Sequence, residues 1–371
     1  MNELIKIWPD YDNSIAGVPN SIMKKFGITP PGKTLPLLDE WLTGDHKNII
    51  VILLDGMGVN IVKENTSPDG FFRQNLKGEF DSVFPPTTVA ATTSIMSGLQ
   101  PCEHGWLGWD CYYPQVDKNV TIFLNTEQGT DTPAADYNIP WEYTGYESVF
   151  DRFGKAGLKA YAVAPFLPPH PDSFEKIADQ VKELAGEPGK KYIYAYWREP
   201  DGTMHDSGCY SPEAKAVIAS LQDQIEALCK ELKDSLIIVT ADHGHVDTRN
   251  VSITDYPKLM ECLVRMPSIE PRALNLFVKK EKRLQFEEEF KRQFGNQFVL
   301  MTKEEVIESQ LFGTNAEHRC FRDMLGDYLA VGVGDVTIFN TEEEAHDFIG
   351  VHAGLTKDEL RIPLIVYECK Q

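Results

Sequence analysis

Asn48-Ile49-Ile50-Val51-Ile52-Leu53-Leu54-Asp55-Gly56-Met57-Gly58 is an unbroken apolar run that ends abruptly in a carboxylate and two glycines. A run without polar alternation, rich in β-branched residues, predicts a strand buried on both faces, the habit of parallel sheets covered by helices. Asp55 then falls just past the strand's C-terminal end, where open α/β sheets hold their ligands. Aspartate is also a good helix cap, so Asp55 alone stays open between a structural and a chemical role.

Two more stretches repeat the pattern. Tyr192–Trp197 reads as a second buried strand and runs into Arg198-Glu199-Pro200-Asp201-Gly202-Thr203-Met204-His205. Asp201 and His205 stand four apart, so one helical turn or a tight loop aims both at one ion. The strand Leu236–Thr240 ends in Ala241-Asp242-His243-Gly244-His245. It follows the clearest helix of the chain, Ser211–Leu232, whose apolar residues recur at three and four. Three buried strands thus predict Asp55, Asp201 with His205, and Asp242 with His243 at one sheet edge.

A hydroxyl joins them. Phe84-Pro85-Pro86-Thr87-Thr88-Val89-Ala90-Ala91-Thr92 reads as the tail of a strand (Phe80–Phe84), two prolines that end it, and the start of a small-residue helix. Thr87 and Thr88 are ordinary caps on one reading. On the other, one hydroxyl sits at the positive end of a helix, where an anion is also attracted. Such a hydroxyl becomes a nucleophile only when a base or metal takes its proton.

At 371 residues the chain suffices for one large domain carrying a smaller one. Lysine plus arginine number 36 against 56 aspartate plus glutamate, a net charge of −20. That balance argues against nucleic-acid polymers and anionic membranes as partners, and an anionic substrate would need local positive charge such as a metal. Met1–Asn20 lacks the apolar core of a signal peptide, and Ile49–Leu54 is far short of a membrane span. The seven cysteines are scattered and form no CxxC pair, which predicts reduced thiols and a cytoplasmic protein.

Residues 1–47 read as an irregular lead-in with a short helix at Ser21–Phe26. Trp106, Trp109, Tyr112 and Tyr113 form an aromatic patch, and the polar, turn-rich residues 114–140 predict a surface excursion. Tyr146–Gly157 and Pro171–Leu184 read as helices around a strand at Lys159–Ala164. After the Asp-His-Gly motif come a strand (Ala273–Val278), an amphipathic helix (Lys279–Phe294), a strand (Phe298–Met301), a helix (Lys303–Ser309) and a strand (Tyr328–Val333). They predict a small inserted α+β cap at 249–341 in a core formed by 1–248 and 342–371, which closes with the strand Ile362–Tyr367.

Val51-Ile52-Leu53-Leu54-Asp55-Gly56, Phe84–Gly105, Pro200-Asp201 through His205, Ala241-Asp242-His243-Gly244 and Val351-His352-Ala353-Gly354-Leu355 occur in this order. The set resembles the alkaline phosphatase superfamily and, within it, the type I phosphodiesterase/nucleotide pyrophosphatase family in a bacterial form. The resemblance implies an α/β core with a mostly parallel sheet flanked by helices. It also implies two divalent cations, zinc by the ligand chemistry, with manganese or iron compatible. By position, Asp201, His205 and His352 would hold one; Asp55, Asp242, His243 and the Thr88 oxygen would hold the other. The implied reaction is hydrolysis of a phosphodiester or nucleotide pyrophosphate bond in a small molecule, through a phospho-threonine on Thr88.

One departure stands out: eukaryotic members carry an asparagine shortly after the nucleophile, and the matching residue is Ala91. Thr92, Trp106 and Trp109 remain as candidate substrate contacts, and His104 and His245 are expected beside the site rather than in it. His46, His170, His318 and His346 are expected at the surface. A phosphonoacetate-hydrolase-like or phosphomonoesterase reaction on the same site is the enzymatic alternative, and a metal-stabilised binding protein the non-enzymatic one. A phosphoglycerate mutase would use serine and an earlier insertion, and the Cys/Ser-x-Pro-x-Arg signature of sulfatases is absent.

Overall fold

Every residue of the strand Asn48–Leu54 is buried, and a parallel strand lies on each side of it, Lys191–Trp197 and Ser235–Thr240. A computed structural model describes residues 7–369; the first six residues of the lead-in lie outside them. The central sheet has six strands in the order Leu76–Asp81, Arg361–Cys369, Ser235–Thr240, Asn48–Leu54, Lys191–Trp197, Lys159–Val163. Only Arg361–Cys369 runs against its neighbours. Helices pack on the sheet, among them Phe174–Gly186 and Pro212–Glu231, which bury Phe174, Ile177 and Val181, and Ile218, Leu221 and Ile225. This is the α/β core that the sequence predicts. No helix among the described residues is long and apolar enough to cross a membrane.

Helix boundaries follow caps rather than apolar periodicity. Ser148, Ser173 and Ser211 each accept from a backbone N–H three residues on, so the helices begin at Val149, Phe174 and Pro212. The expected Ser21–Phe26 helix is Gly17–Lys25, and it is no loose lead-in, since Val18, Ile22 and Met23 join the main core. The strand expected at Phe80–Phe84 ends at Asp81. Phe84 gives its N–H to the Tyr11 hydroxyl instead of to a ladder, and the two prolines after it have none to give.

A second sheet carries seven strands in the order Phe298–Thr302, Tyr328–Gly332, Ala273–Leu276, Ser268–Glu270, Asp110–Tyr113, Lys118–Thr121, Thr126–Glu127. Its faces alternate as a strand period requires. Leu329 and Val331 join a cluster with Trp106 and Tyr113, while Tyr328 and Ala330 join another with Phe286, Phe290 and Phe294. The helix of those three phenylalanines is Arg283–Phe294, starting after a 3-10 turn at Lys280–Lys282. Residues 114–140 are therefore not a plain surface excursion. Lys118–Thr121 and Thr126–Glu127 extend this sheet, and Ile269 pairs with Asp110 to join the two segments.

Candidate active site

The parallel strands Asn48–Leu54, Lys191–Trp197 and Ser235–Thr240 lie side by side, so the residues that follow them meet at one edge. Asp55 follows its strand directly, Asp242 one residue after its own, and Asp201 begins the helix Asp201–Ser207, which brings His205 round one turn later. Glycine is required here. Gly56 has φ +71°, and a Cβ on it would lie 2.9 Å from His245 and 3.1 Å from Asp201. His352 arrives by a different route, after the two-residue strand Gly350–Val351 that pairs with Val246–Asp247.

The structure brings all seven expected cation-ligand candidates together. Ligand atoms of Asp201, His205, His245 and His352 lie within 4.8 Å of one another, and so do those of Asp55, Asp201 and His243. The rings of His243 and His352 stack 3.8 Å apart, so the two groups adjoin. Thr88 Oγ1 lies 3.3 Å from both Asp55 Oδ1 and His243 Nε2. It belongs to the first residue of the helix Thr88–Ser97, and neither threonine hydroxyl caps that helix. Thr87 Oγ1 donates instead to Glu270 Oε1, at 2.6 Å.

The residues fit divalent cations on three counts. His205, His243 and His352 each set Nδ1 against a backbone carbonyl, of Gly350, Gly244 and Pro86, at 2.8, 3.0 and 3.3 Å. A carbonyl only accepts, so Nδ1 carries the hydrogen and Nε2 turns its lone pair inward, as in metal-bound histidines. Asp242 Oδ1 accepts from the N–H groups of Gly56 and His243, but its Oδ2 is buried without a hydrogen-bond partner among the described residues, 3.7 Å from His243 Nε2. A buried, unpaired carboxylate oxygen is costly unless a cation or proton meets it. The side chains that hold the carboxylates complete the argument: Tyr196 donates to Asp55 Oδ2, and His245 Nε2 to Asp201 Oδ1.

Electrostatics agree. Burial, then the nearby Asp55, holds the Asp242 carboxyl well above its ordinary range. Asp242 and Asp55 draw positive charge to His243 and take it up to about 10 against burial, so a proton on its Nε2 and a cation there compete for the same lone pair. Burial, then the charge of His243, pushes His352 well down. Burial also takes His245 to about 4, so it is a neutral ring beside Asp201.

In front of Thr88 opens a cleft of about 370 Å³, lined by Thr87, Thr88, Asp201, His205 and His352 and by Ser268, Ile269 and Glu270 of the second sheet. Of the three candidate substrate contacts only Trp109 lines it. Trp106 is buried among Phe123, Trp141 and Tyr146 and gives its indole N–H to the Thr144 carbonyl. Thr92 bonds back to the Thr88 carbonyl at 2.6 Å, as helical threonines do, and Ala91 is in the core. His104 is buried beneath the helix against Ser94. His170 and His346 are exposed, whereas His46 and His318 are half-buried.

Sequence reasoning missed Glu270. Its Oε1 accepts from Thr87 and, at 2.8 Å, from the N–H of Trp109, and burial raises its carboxyl to about 7. Ile269 before it holds φ +76°, a costly value for a β-branched residue, of order 1–3 kcal/mol. The signal in the sequence is slight: one carboxylate between Ile269 and Pro271 in a short stretch flanked by prolines.

Comparison with known proteins gives the family and the fold. The profile described as type I phosphodiesterase / nucleotide pyrophosphatase matches residues 49–354. Murine ectonucleotide pyrophosphatase/phosphodiesterase 5, solved as an inactive threonine-to-alanine variant with AMP, is 19% identical, with a TM-score of 0.66 over 86% of this chain and 87% of its own. The human protein of that name is 17% identical, with the same TM-score and coverage. Phosphonoacetate hydrolase from Sinorhizobium meliloti 1021, in complex with phosphonoformate, is 16% identical, with a TM-score of 0.63 over 87% of this chain and 91% of its own. At such identities the likenesses establish the alkaline-phosphatase-like fold. The profile match over most of the chain establishes more: the chain belongs to the type I phosphodiesterase/nucleotide pyrophosphatase family and is a phosphoester hydrolase.

Proposed function

We propose that the protein hydrolyses phosphodiester or nucleotide pyrophosphate bonds through a covalent phospho-threonine on Thr88 at a centre for two divalent cations. The observation that carries this is the Thr88 hydroxyl, 3.3 Å from Asp55 and His243 at the first residue of an uncapped helix. In this reading Asp201, His205 and His352 hold one cation, and Asp55, Asp242, His243 and Thr88 Oγ1 the other. The mixed imidazole and carboxylate donors suit zinc, with manganese or iron compatible. When bound, such cations lower the pKa of a hydroxyl they touch and neutralise charge on a phosphoryl group.

The chain's own residues account for the rest. Asp55, held by Tyr196, keeps the Thr88 hydroxyl oriented and stands on the side to which its proton leaves. Thr88 Oγ attacks phosphorus, the bond to the leaving oxygen breaks, and the alcohol departs with a proton. Anionic phosphoryl oxygens are favoured by the free N–H groups at the helix start. Water then attacks phosphorus, the bond to Thr88 Oγ breaks, and the hydroxyl is restored. The inactive threonine variant of the murine relative supports an essential threonine in a centre of this kind. Residues 249–341, with the strands of 110–127 that share their sheet, act as a cap on the rest of 1–248 and 342–371, and seven buried, unpaired cysteines suit the cytoplasm.

The test is stereochemical. A phosphorothioate diester of single configuration, hydrolysed in heavy-oxygen water by zinc-supplied protein, is expected to give net retention at phosphorus, because two displacements occur. Net inversion means direct attack by water and overturns the phospho-threonine.

A further inference from the structure

The helix Thr88–Ser97 starts from Thr87, whose backbone is extended, with φ −143° and ψ 152°. That is the conformation of a capping residue. Ser173 (φ −148°, ψ 156°) and Thr341 (φ −130°, ψ 159°) hold nearly the same angles, and each accepts the N–H three residues on. Ser148, Ser211, Thr302 and Thr356 do the same at their own helices. Among the described residues, Thr87 is the one serine or threonine at a helix start that does not cap. The N–H it would take, that of Ala90, has no acceptor among the described residues, and neither has that of Val89.

The Thr87 hydroxyl is engaged elsewhere. It donates to Glu270 Oε1 at 2.6 Å, and the same oxygen accepts the Trp109 N–H at 2.8 Å. A threonine side chain holds one rotamer at a time, and the one that meets Glu270 leaves Ala90 bare. Glu270 comes from the second sheet, 183 residues on, and follows the strained Ile269 at φ +76°. Strain of this kind lasts only where the surroundings enforce it, and it gathers at working sites. The cleft lining holds neither lysine nor arginine, so beside any cations the bare N–H groups of this helix are what an anionic group meets.

We propose that Glu270 is a positioning residue: it draws the Thr87 hydroxyl away from the helix start and so keeps the N–H groups of Val89 and Ala90 open to phosphoryl oxygens. The proposal rests on the hydrolase reading above and deepens it, by naming what keeps that helix uncapped.

Glu270→Ala, supplied with zinc and given bis(4-nitrophenyl) phosphate, is expected to lose about tenfold or more in kcat/KM. The loss comes even though the change removes a negative charge beside an anion. Adding Thr87→Val should restore most of it, because valine has no oxygen to fold over Ala90. Disturbance of Trp109, or a merely structural Glu270, would persist in that double variant. Glu270→Gln keeps an acceptor oxygen and should lose much less than the alanine variant. Hydrogen exchange reads the cap without turnover: the Ala90 amide should exchange several-fold more slowly in Glu270→Ala than in wild type, and return to the wild-type rate in the double variant. A double variant as slow as Glu270→Ala, or an Ala90 amide whose exchange does not change, overturns the proposal and leaves the hydrolase reading intact. No hydrolysis by the wild type of this ester or of a nucleotide pyrophosphate, with zinc, manganese or iron supplied, takes down both.

Discussion

The two sheets bring residues to the same cleft by opposite routes. In the six-stranded sheet Asp55 follows an apolar strand directly and Asp242 and Asp201 follow theirs within a few residues, and those strands are neighbours. The seven-stranded sheet delivers Asp110 and Glu270 through a joint at which Ile269 pairs with Asp110 across a wide gap in sequence. The first route is local: once a buried strand exists, its next residue is at the edge. The second needs two distant segments to find each other. The first route supplies three of the carboxylates of the proposed centre and the second shapes the cleft beside it, so the two should separate under mutation.

Thr88→Ala is the largest expected break. Removing the proposed nucleophile should lower kcat/KM on any ester the wild type cleaves by about 10³-fold or more. The hydroxyl is half-buried and its helix makes no cap with it, so the urea midpoint should hardly move. Activity within tenfold of wild type would remove Thr88 from the chemistry and leave the Asp55 edge a binding site. Equal loss of fold and activity would return Thr88 to a structural part.

How much of this was legible follows the same division. The strand Asn48–Leu54 announces itself by apolar residues alone, and each of Asp55, Asp201 and Asp242 stands where such a strand must stop. Thr88 is readable because prolines fix where the helix starts. His352 is not readable that way: Gly350–Val351 is a strand of two residues, with no periodicity to betray it, and only the ordered motifs pointed there. Glu270 and Asp110 were missed because Ser268–Glu270 is three residues between prolines and pairs with a hairpin whose polar turns look like a loop. Trp106 was misjudged against Trp109 since both belong to one aromatic patch. Their separation into core and cleft is decided by Trp141 and Tyr146, which pack on Trp106.

A smaller effect, on stability, probes the tie between the sheets. Arg272, completely buried at the turn between Ser268–Glu270 and Ala273–Leu276, makes two bonds to Glu359, at 2.6 and 2.9 Å. Glu359 also accepts from the Gly354 N–H at 2.7 Å, so the pair anchors the loop that follows His352. Arg272→Met strands a buried carboxylate and should cost about 3–5 kcal/mol in urea unfolding. Adding Glu359→Gln should recover part of that, because an amide tolerates the loss of the guanidinium. A cost below about 1 kcal/mol would mean that the sheets hold their relation without this pair and that the joint at Ile269 is enough.

The smallest effect is one of pH, and it sits on the segment that leads from the Thr88 helix into the second sheet. His104 Nδ1 accepts the Trp106 N–H at 3.1 Å, which leaves the hydrogen on Nε2, facing Ser94 Oγ at 3.1 Å. Protonating Nδ1 would set two N–H groups against each other in a buried place. Burial accordingly pushes the pKa down to about 3. The unfolded chain takes up that proton near its ordinary value of about 6.5 and the folded chain does not. Stability from this residue is therefore full above about pH 6.5 and falls as pH drops toward 3, by about 2 kcal/mol at pH 5. His104→Gln keeps a donor and an acceptor but cannot titrate. The difference in urea stability between pH 7 and pH 5 should then shrink by about 2 kcal/mol relative to wild type, with every other titrating group common to both proteins. Parallel profiles would mean that folded His104 does take the proton, and Trp106 would have to give up its acceptor where the chain passes from one sheet to the other.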